Sequence, residues 1–232
     1  MTPRRLLLVG AGGLAREVLA AARAIPDKWD PIGALDDNPL RHGALLDGIP
    51  VLGPIGLVSD HPEAAIVLCL ANSRRPGGRL DMAQSLSLPP ERYATIVHPF
   101  ASIPAGFEVG EGSVLLAGAV VTAPVRIGAH ILAMPHVLIT HDDAIEDGVT
   151  MAGRVTLSGG VRIGRAAYVG QGALVRENVS IGSRAVVGMG AVVLGDVPDG
   201  EVWVGSPARV LRADTPVAHP HDLTPVYARA AV

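Results

Sequence analysis

Residues 101–196 read in sixes without interruption: ASIPAG (101–106), FEVGEG, SVLLAG, AVVTAP, VRIGAH, ILAMPH, VLITHD (137–142), DAIEDG, VTMAGR, VTLSGG, VRIGRA, AYVGQG, ALVREN, VSIGSR, AVVGMG and AVVLGD (191–196). The third residue of every block is apolar, from Ile103 and Val109 through Ile139 and Met151 to Val187 and Val193, and only Ala133 is small. An α-helix repeats its apolar positions every 3.6 residues and a flat strand every 2, so neither explains a period of six. A β-solenoid does: each block is a short strand plus a corner, three blocks make a triangular coil, and each coil buries its third residues against the coils beside it. Gly110, Gly128, Asp147, Gly164, Gly170, Asn178, Gly182 and Gly188 stand near block ends and are expected at corners of positive φ.

The composition agrees. Of 232 residues only 3% are aromatic, while Gly numbers 28 and Pro 19. A core of repeated rungs is built from Val, Ile and Leu rather than from a few large rings. Net charge is −3, which gives no electrostatic case for nucleic acid or an anionic membrane. Cys69 is alone, inside AIVLCLA, and reads as a buried core thiol. That excludes an intrachain disulfide and favours a reducing cytoplasm. The start, MTPRR followed by only four apolar residues, carries no signal-peptide core, and no stretch is long enough to span a bilayer.

Residues 1–98 follow another pattern. RRLLLVGAGG reads as a buried strand entering a glycine turn, and LAREVLAAARAI as a helix. PIGALDD is a second strand ending in two carboxylates, GIPVLGP an extended piece and AAIVLCLAN a third strand; a helix is expected near 78–87. This order makes a small Rossmann-like α/β domain. The solenoid occupies 99–212, with VPDGEVWVGSPARVLR (197–212) read as a loop leaving the last coil. A tail rich in Pro and Ala, 213–232, is the third segment.

Gly10, Gly12 and Gly13 lie between the first strand and the first helix. Such a turn lets phosphate oxygens meet backbone N–H groups at a helix N-terminus. The Rossmann spacing puts its third small residue at Ala15, and Asp36 and Asp37 follow at the end of the next strand, where a carboxylate can reach a ribose hydroxyl or a base. The plainer reading is a tight turn with a capping Asp pair. A domain of under about 100 residues supplies only one mononucleotide half, which argues against a full dinucleotide.

In the solenoid, positions 18 apart stack. The column through His141 continues to Gly159 and Glu177, and a second column holds Gly153, Gln171 and Met189. Gly159 leaves room beside His141 and bares its backbone N–H, and Asp142 follows the histidine directly. Acyl transfer uses such a trio: an imidazole to take a proton, a carboxylate to fix its tautomer, and a backbone donor for the oxyanion. The plainer reading makes His141 one of several polar corner residues. His42, His61, His219 and His221 fall in loops or tail and are assigned no role. His136 and His141, five apart across a corner, invite a metal reading, but a third nitrogen ligand from another coil is missing from the pattern, so no metal is expected.

LLLVGAGG, ALDDN, IVHPFASI, ITHDDAIEDG and VGSPARVL, in that order around an unbroken hexad array, resemble the sugar O-/N-acetyltransferase family of left-handed β-helix proteins, which includes sialic acid O-acetyltransferases and the bacillosamine and perosamine N-acetyltransferases. The resemblance covers about residues 4–212. It implies a homotrimer, with acetyl-CoA as co-substrate in the groove between two solenoids and a nucleotide-linked amino sugar held by the N-terminal domain. It places the catalytic histidine on His141 and its acidic partner on Asp142. It assigns Gly153, Gly159, Gln171 and Met189 to the coenzyme groove, Gln171 and Met189 being contributed by the neighbouring subunit, and Gly10, Gly12, Gly13, Asp36, Asp37 and Asn72 to the nucleotide sugar. Two positions depart: Leu14 stands where many members carry a His, and Thr150 where some carry a second active-site His. Beside acetyl transfer stand two other functions, a metal-dependent hydratase on the same fold and a non-catalytic nucleotide-sugar-binding trimer.

Overall fold

The computed structural model describes residues 2–212, so the tail 213–232 lies outside the described residues. The N-terminal sheet has strands β1 (Arg4–Val9), β2 (Trp29–Leu35), β3 (Leu45–Leu46), β4 (Ile49–Gly53) and β5 (Ala65–Leu68), in the order β3-β4-β2-β1-β5. All pairs are parallel except the β3–β4 hairpin. Leu6, Leu7, Leu8 and Val9 of the central strand are fully buried, because both faces of the sheet are covered. Helix α1 (Gly13–Arg23) lays Ala15, Val18, Leu19 and Ala22 against Leu6 and Leu8 on one face. Helix α2 (Gly78–Leu86) brings Ala83 to the other, beside Leu7, Val9 and Ile66.

The solenoid is a three-sided stack of two-residue strands. One sheet of eight contains Val114–Leu115, Leu132–Ala133, Thr150–Met151, Tyr168–Val169 and Val186–Val187; one of five contains Leu138–Ile139, Thr156–Leu157 and Leu174–Val175; one of four contains Ala144–Ile145 and Arg162–Ile163. Partners are parallel and 18 residues apart, as in Leu132↔Thr150, Leu138↔Thr156 and Ala144↔Arg162. The expected third residues form the core: Leu115, Ala133, Met151, Leu157, Val169, Val187 and Val193 are wholly buried. First residues join them, Val137, Val149, Val155, Val161, Ala167 and Val179 among them, so each block puts two side chains inside.

Two expectations change. The residues after Asp196 are not a loop: Val202–Val204 adds in parallel to Val186–Val187, and Arg209–Arg212 closes that sheet antiparallel. The left-handed corner residue is the sixth of a block, not the fourth. Gly112, Gly118, Gly148, Gly160, Gly172 and Gly190 have positive φ there, as do His130, His136, Asp142, Arg154 and Asn178. Of the residues expected in that conformation only Asn178 adopts it. The fourth-position glycines are required for space instead. A Cβ on Gly164 would lie 2.6 Å from Ser183 N, and one on Gly170 2.6 Å from Met189 N. The next coil passes directly over the turn.

The two parts share one core, in which Ile96, Val114, Leu116 and Leu132 of the eight-stranded face pack with Leu6, Leu8 and Val18. Arg79 of α2 pins the seam. Its side chain is buried, with Nε donating to His130 O (2.9 Å), Nη1 to Leu70 O (2.8 Å) and Nη2 to Gly148 O (3.2 Å), Val149 O (3.0 Å) and Thr150 Oγ1 (3.0 Å). Burial lowers the Arg79 pKa to about 10, so the guanidinium keeps its charge at neutral pH. The docked corner, through His130, Gly148, Ala166 and Arg184, separates the four- and eight-stranded faces; Arg184 extends the seam by bonding Pro76 O and Asp81. Among the described residues, no helix is long and apolar enough to cross a membrane.

The two kinds of glycine predict different costs in denaturant unfolding. Gly172 has φ +70° and nothing near its Cβ position, so Gly172→Ala should cost about 1 kcal/mol from backbone conformation alone. Gly164→Ala must push two coils apart and should cost about 2–3 kcal/mol. The reverse order would contradict the close-approach explanation.

Candidate active site

His141 is the fifth residue of its block, at the corner between the five- and four-stranded faces. Asp142 follows in the left-handed conformation, φ 64°, which turns its carboxylate back toward the ring. His141 Nδ1 and Asp142 Oδ2 are 2.7 Å apart, and both side chains are exposed, 70% and 82%. A carboxylate oxygen only accepts, so Nδ1 carries the hydrogen and the Nε2 lone pair is left free as a base. One coil on, Gly159 lies against this ring: a Cβ there would collide with His141 Cε1 and sit 2.7 Å from Nε2. Any side chain at 159 would displace the imidazole.

The backbone of this corner is open. Fifth-position N–H groups point out of a coil without a partner in the next. At the docked corner, carboxylates cap them: Asp147 takes Ala129 N–H (3.0 Å), Glu146 takes Arg165 N–H (2.9 Å) and Asp199 takes Ser183 N–H (2.7 Å). At the His141 corner, the N–H groups of Gly159, Glu177 and Gly195 have no acceptor among the described residues. The result is a ladder of donors rising from the imidazole, with rungs roughly 4.8 Å apart.

Gly153, Gln171 and Met189 do stack, but on the third corner, between the eight- and five-stranded faces. Within one chain the five-stranded sheet separates them from His141. Met189 is 82% exposed. His136 is on that third corner too, so it and His141 flank the strand Leu138–Ile139 rather than a shared corner. Among the described residues no three His, Cys, Asp or Glu side chains form a metal-ligand group. Thr150 is buried beneath the N-terminal domain, where it accepts from Arg79, and Leu14 packs into the shared core.

In the N-terminal domain, Gly10 (φ +97°) approaches so closely that a Cβ would lie 3.0 Å from Cys69 O. Cys69 itself is buried, which pushes its thiol well above the ordinary value. Gly12 and Gly13 open α1 with no side-chain cap at Gly12. The two aspartates part ways. Asp37 accepts Ile55 N–H (2.9 Å), starting a short 3-10 turn. Asp36 accepts Ala11 N–H (2.8 Å) and Arg41 Nη1 (2.8 Å) on Oδ2, and Asn38 N–H (2.9 Å) on Oδ1. Asn72 Oδ1 takes Arg74 N–H (2.9 Å) in the loop after β5. The group that Asp36 presents at the glycine turn is the Arg41 guanidinium, 3.9 Å from the Cβ position of Gly12. Sequence reading missed Arg41, although an Arg five residues beyond the strand-end carboxylate was the available signal.

Burial alone would raise the Asp36 pKa; the Ala11 and Asn38 N–H groups and Arg41 outweigh it and hold the carboxyl below its ordinary value. A carboxyl with a depressed folded pKa stabilises fully above its unfolded value, near pH 4, and loses that contribution as pH falls through the folded value. Asp36→Asn should therefore cost about 1–2 kcal/mol at pH 7, with the gap to wild type closing below the ordinary carboxyl range. A gap constant from pH 7 to pH 2.5 in chemical denaturation would contradict this ion cluster.

Residues 5–70 match the PglD N-terminal domain family. No curated protein sequence matches the chain. Solved structures that match nearly its whole length include the following three. The acetyltransferase domain of PglB from Neisseria gonorrhoeae FA1090, in complex with acetyl coenzyme A, is 28% identical with a TM-score of 0.78 and covers 90% of this chain and 100% of its own. A mutant of perosamine N-acetyltransferase from Caulobacter crescentus, in complex with CoA and GDP-perosamine, is 25% identical with a TM-score of 0.79, over 90% and 97%. WeeI from Acinetobacter baumannii AYE is 30% identical with a TM-score of 0.76, over 90% and 100%. The chain belongs to the sugar N-acetyltransferase family of hexapeptide-repeat proteins; its solenoid is a left-handed β-helix, and it is an acyltransferase.

Proposed function

We propose that this protein transfers the acetyl group of acetyl-CoA to an amino group, or a hydroxyl, of a nucleotide-linked sugar, by direct attack in a ternary complex at His141. The observation that carries this reading is the His141–Asp142 pair stacked on Gly159. Nε2 takes the proton of the attacking nitrogen or oxygen as the bond to the thioester carbonyl carbon forms. Asp142 holds Nδ1–H and stabilises the imidazolium. The Gly159 N–H is the donor for the oxyanion. When the C–S bond breaks, the imidazolium returns its proton to the departing thiolate, which leaves as CoA thiol. Buried Cys69 lies in the other domain, so no acyl-cysteine step is invoked. Acetyl-CoA bound to the PglB domain, and CoA with GDP-perosamine bound to the Caulobacter enzyme, support these two substrates.

The open N–H ladder suits the amide carbonyls of a pantetheine arm running up the His141 corner. A second wall is missing within one chain. The five-stranded face supplies a way to provide it: it points Val120, Leu138, Leu174 and Val192 outward, with Leu174 47% exposed, and we assign it to contacts in a homotrimer. The corner of Gly153, Gln171 and Met189 would then close the groove of the neighbouring copy. Gly10, Gly12, Gly13 and Arg41, held by Asp36, would receive the sugar's diphosphate, with Asp37 shaping and Asn72 flanking the site. The domain division 1–98 and 99–212 follows these two tasks, and a cytoplasmic location follows from the soluble substrates.

Thiol release from acetyl-CoA with a panel of UDP-, GDP- and dTDP-linked amino sugars should give one strongly preferred acceptor. His141→Ala should lower kcat on it by about 10²–10⁴-fold while sedimentation still reports three chains. Near wild-type turnover in that variant would remove the base assignment, and no thiol release with any acceptor would remove the reaction.

A further inference from the structure

The first residue of nearly every block is a small or branched apolar side chain pointing inward. In the column at the His141 corner the succession is Val125, Asp143, Val161, Val179 and Val197. One carboxylate thus stands in a stack of valines, one coil below fully buried Val161, and is itself only 2% exposed. Burying a carboxylate is costly unless it is fully bonded, and the rest of the column shows that valine suffices for packing. Burial pushes the Asp143 pKa up, against the pull of the N–H groups of Thr140 and Val161 and the charge of His141.

Its two bonds bracket the site. Oδ2 accepts Thr140 N–H at 2.8 Å, closing the turn that carries His141 and Asp142. Oδ1 accepts Val161 N–H at 2.8 Å, directly after Gly159 and Gly160 in the next coil. Gly160 N–H adds a third tie, to His141 O at 3.0 Å. One rigid, inward-facing group therefore fixes the imidazole's turn and the oxyanion donor's turn relative to each other.

We infer that Asp143 is a positioning residue of the acyl-transfer site, clamping the His141 turn to the Gly159 turn so that base and oxyanion donor keep one spacing. This rests on the reading of His141 as base. Asp143 touches no substrate; it acts through the two turns, and a displacement of about 1 Å at a reacting group can cost roughly a hundredfold.

The test uses the full chain with Asp143→Val, the residue the column otherwise uses, and Asp143→Asn, which is isosteric but must turn an NH2 toward one of the two N–H donors. Kinetics use acetyl-CoA with the preferred acceptor of the panel above, well below each variant's melting temperature. Asp143→Val should lower kcat about 10–100-fold, and Asp143→Asn by a smaller factor, with both KM values within about twofold of wild type. A folded Asp143→Val at wild-type kcat overturns the proposal, as does an effect confined to KM. If Asp143→Val does not fold, wild-type kcat in Asp143→Asn overturns it. Hydrogen exchange separates this proposal from the assignment of the reaction. One of the Thr140 and Val161 amides, the one facing the new NH2, should lose protection in Asp143→Asn even if no acceptor is turned over, and unchanged protection of both ends the clamp whatever His141→Ala shows.

Discussion

Every side chain of the candidate site on the solenoid is placed by the stacking of one 18-residue coil on the next. The parallel ladder fixes the distance between coils, and the inward pair of aliphatic side chains in each block fixes the register. A side chain at residue i therefore meets residue i+18 at a spacing it cannot alter. His141 meets Gly159 in this way, and open backbone donors continue upward from it. Geometry that other folds obtain from loops is here a property of the repeat.

Charged groups inside this apolar stack mark its joints. Among the described residues Arg79 meets no carboxylate; it bonds Leu70 O in its own domain and, across the seam, the carbonyls of His130, Gly148 and Val149 and the Thr150 hydroxyl. Asp143 does the reverse, gathering N–H groups from two turns. A buried ion held by backbone dipoles costs desolvation and returns a fixed geometry. At the seam that geometry holds the N-terminal domain against the coil, and at the His141 corner it serves the proposed alignment of base and oxyanion donor.

The architecture was legible because a period of six has few physical solutions. The His141–Gly159 contact was legible for the same reason, since arithmetic on the repeat places it. What escaped depended on long-range partners. The closing strands 202–204 and 209–212 break the hexad count and join the sheet through pairing with Val186–Val187 and the packing of Trp203 on the core. The fourth-position glycines answer to the backbone of the next coil, invisible in local propensity. Arg79 and Arg41 earn their places through contacts 50 to 70 residues away or across a strand end, and Asp143 reads as one more polar residue in THDDA until its burial is known. Gly153, Gln171 and Met189 form their column by the same arithmetic, on a corner that does not reach His141 within one chain.

On the proposed reaction the His141 corner, and not the docked corner, receives the thioester. A crystal structure of the protein grown with CoA tests it most directly. The thiol is expected beside His141 Nε2, with pantetheine carbonyls on the N–H groups of Glu177 or Gly195 and the Met189 corner of a neighbouring copy as the second wall. CoA seated elsewhere, or His141 turned from the sulfur and shielded from any groove between copies, would contradict it.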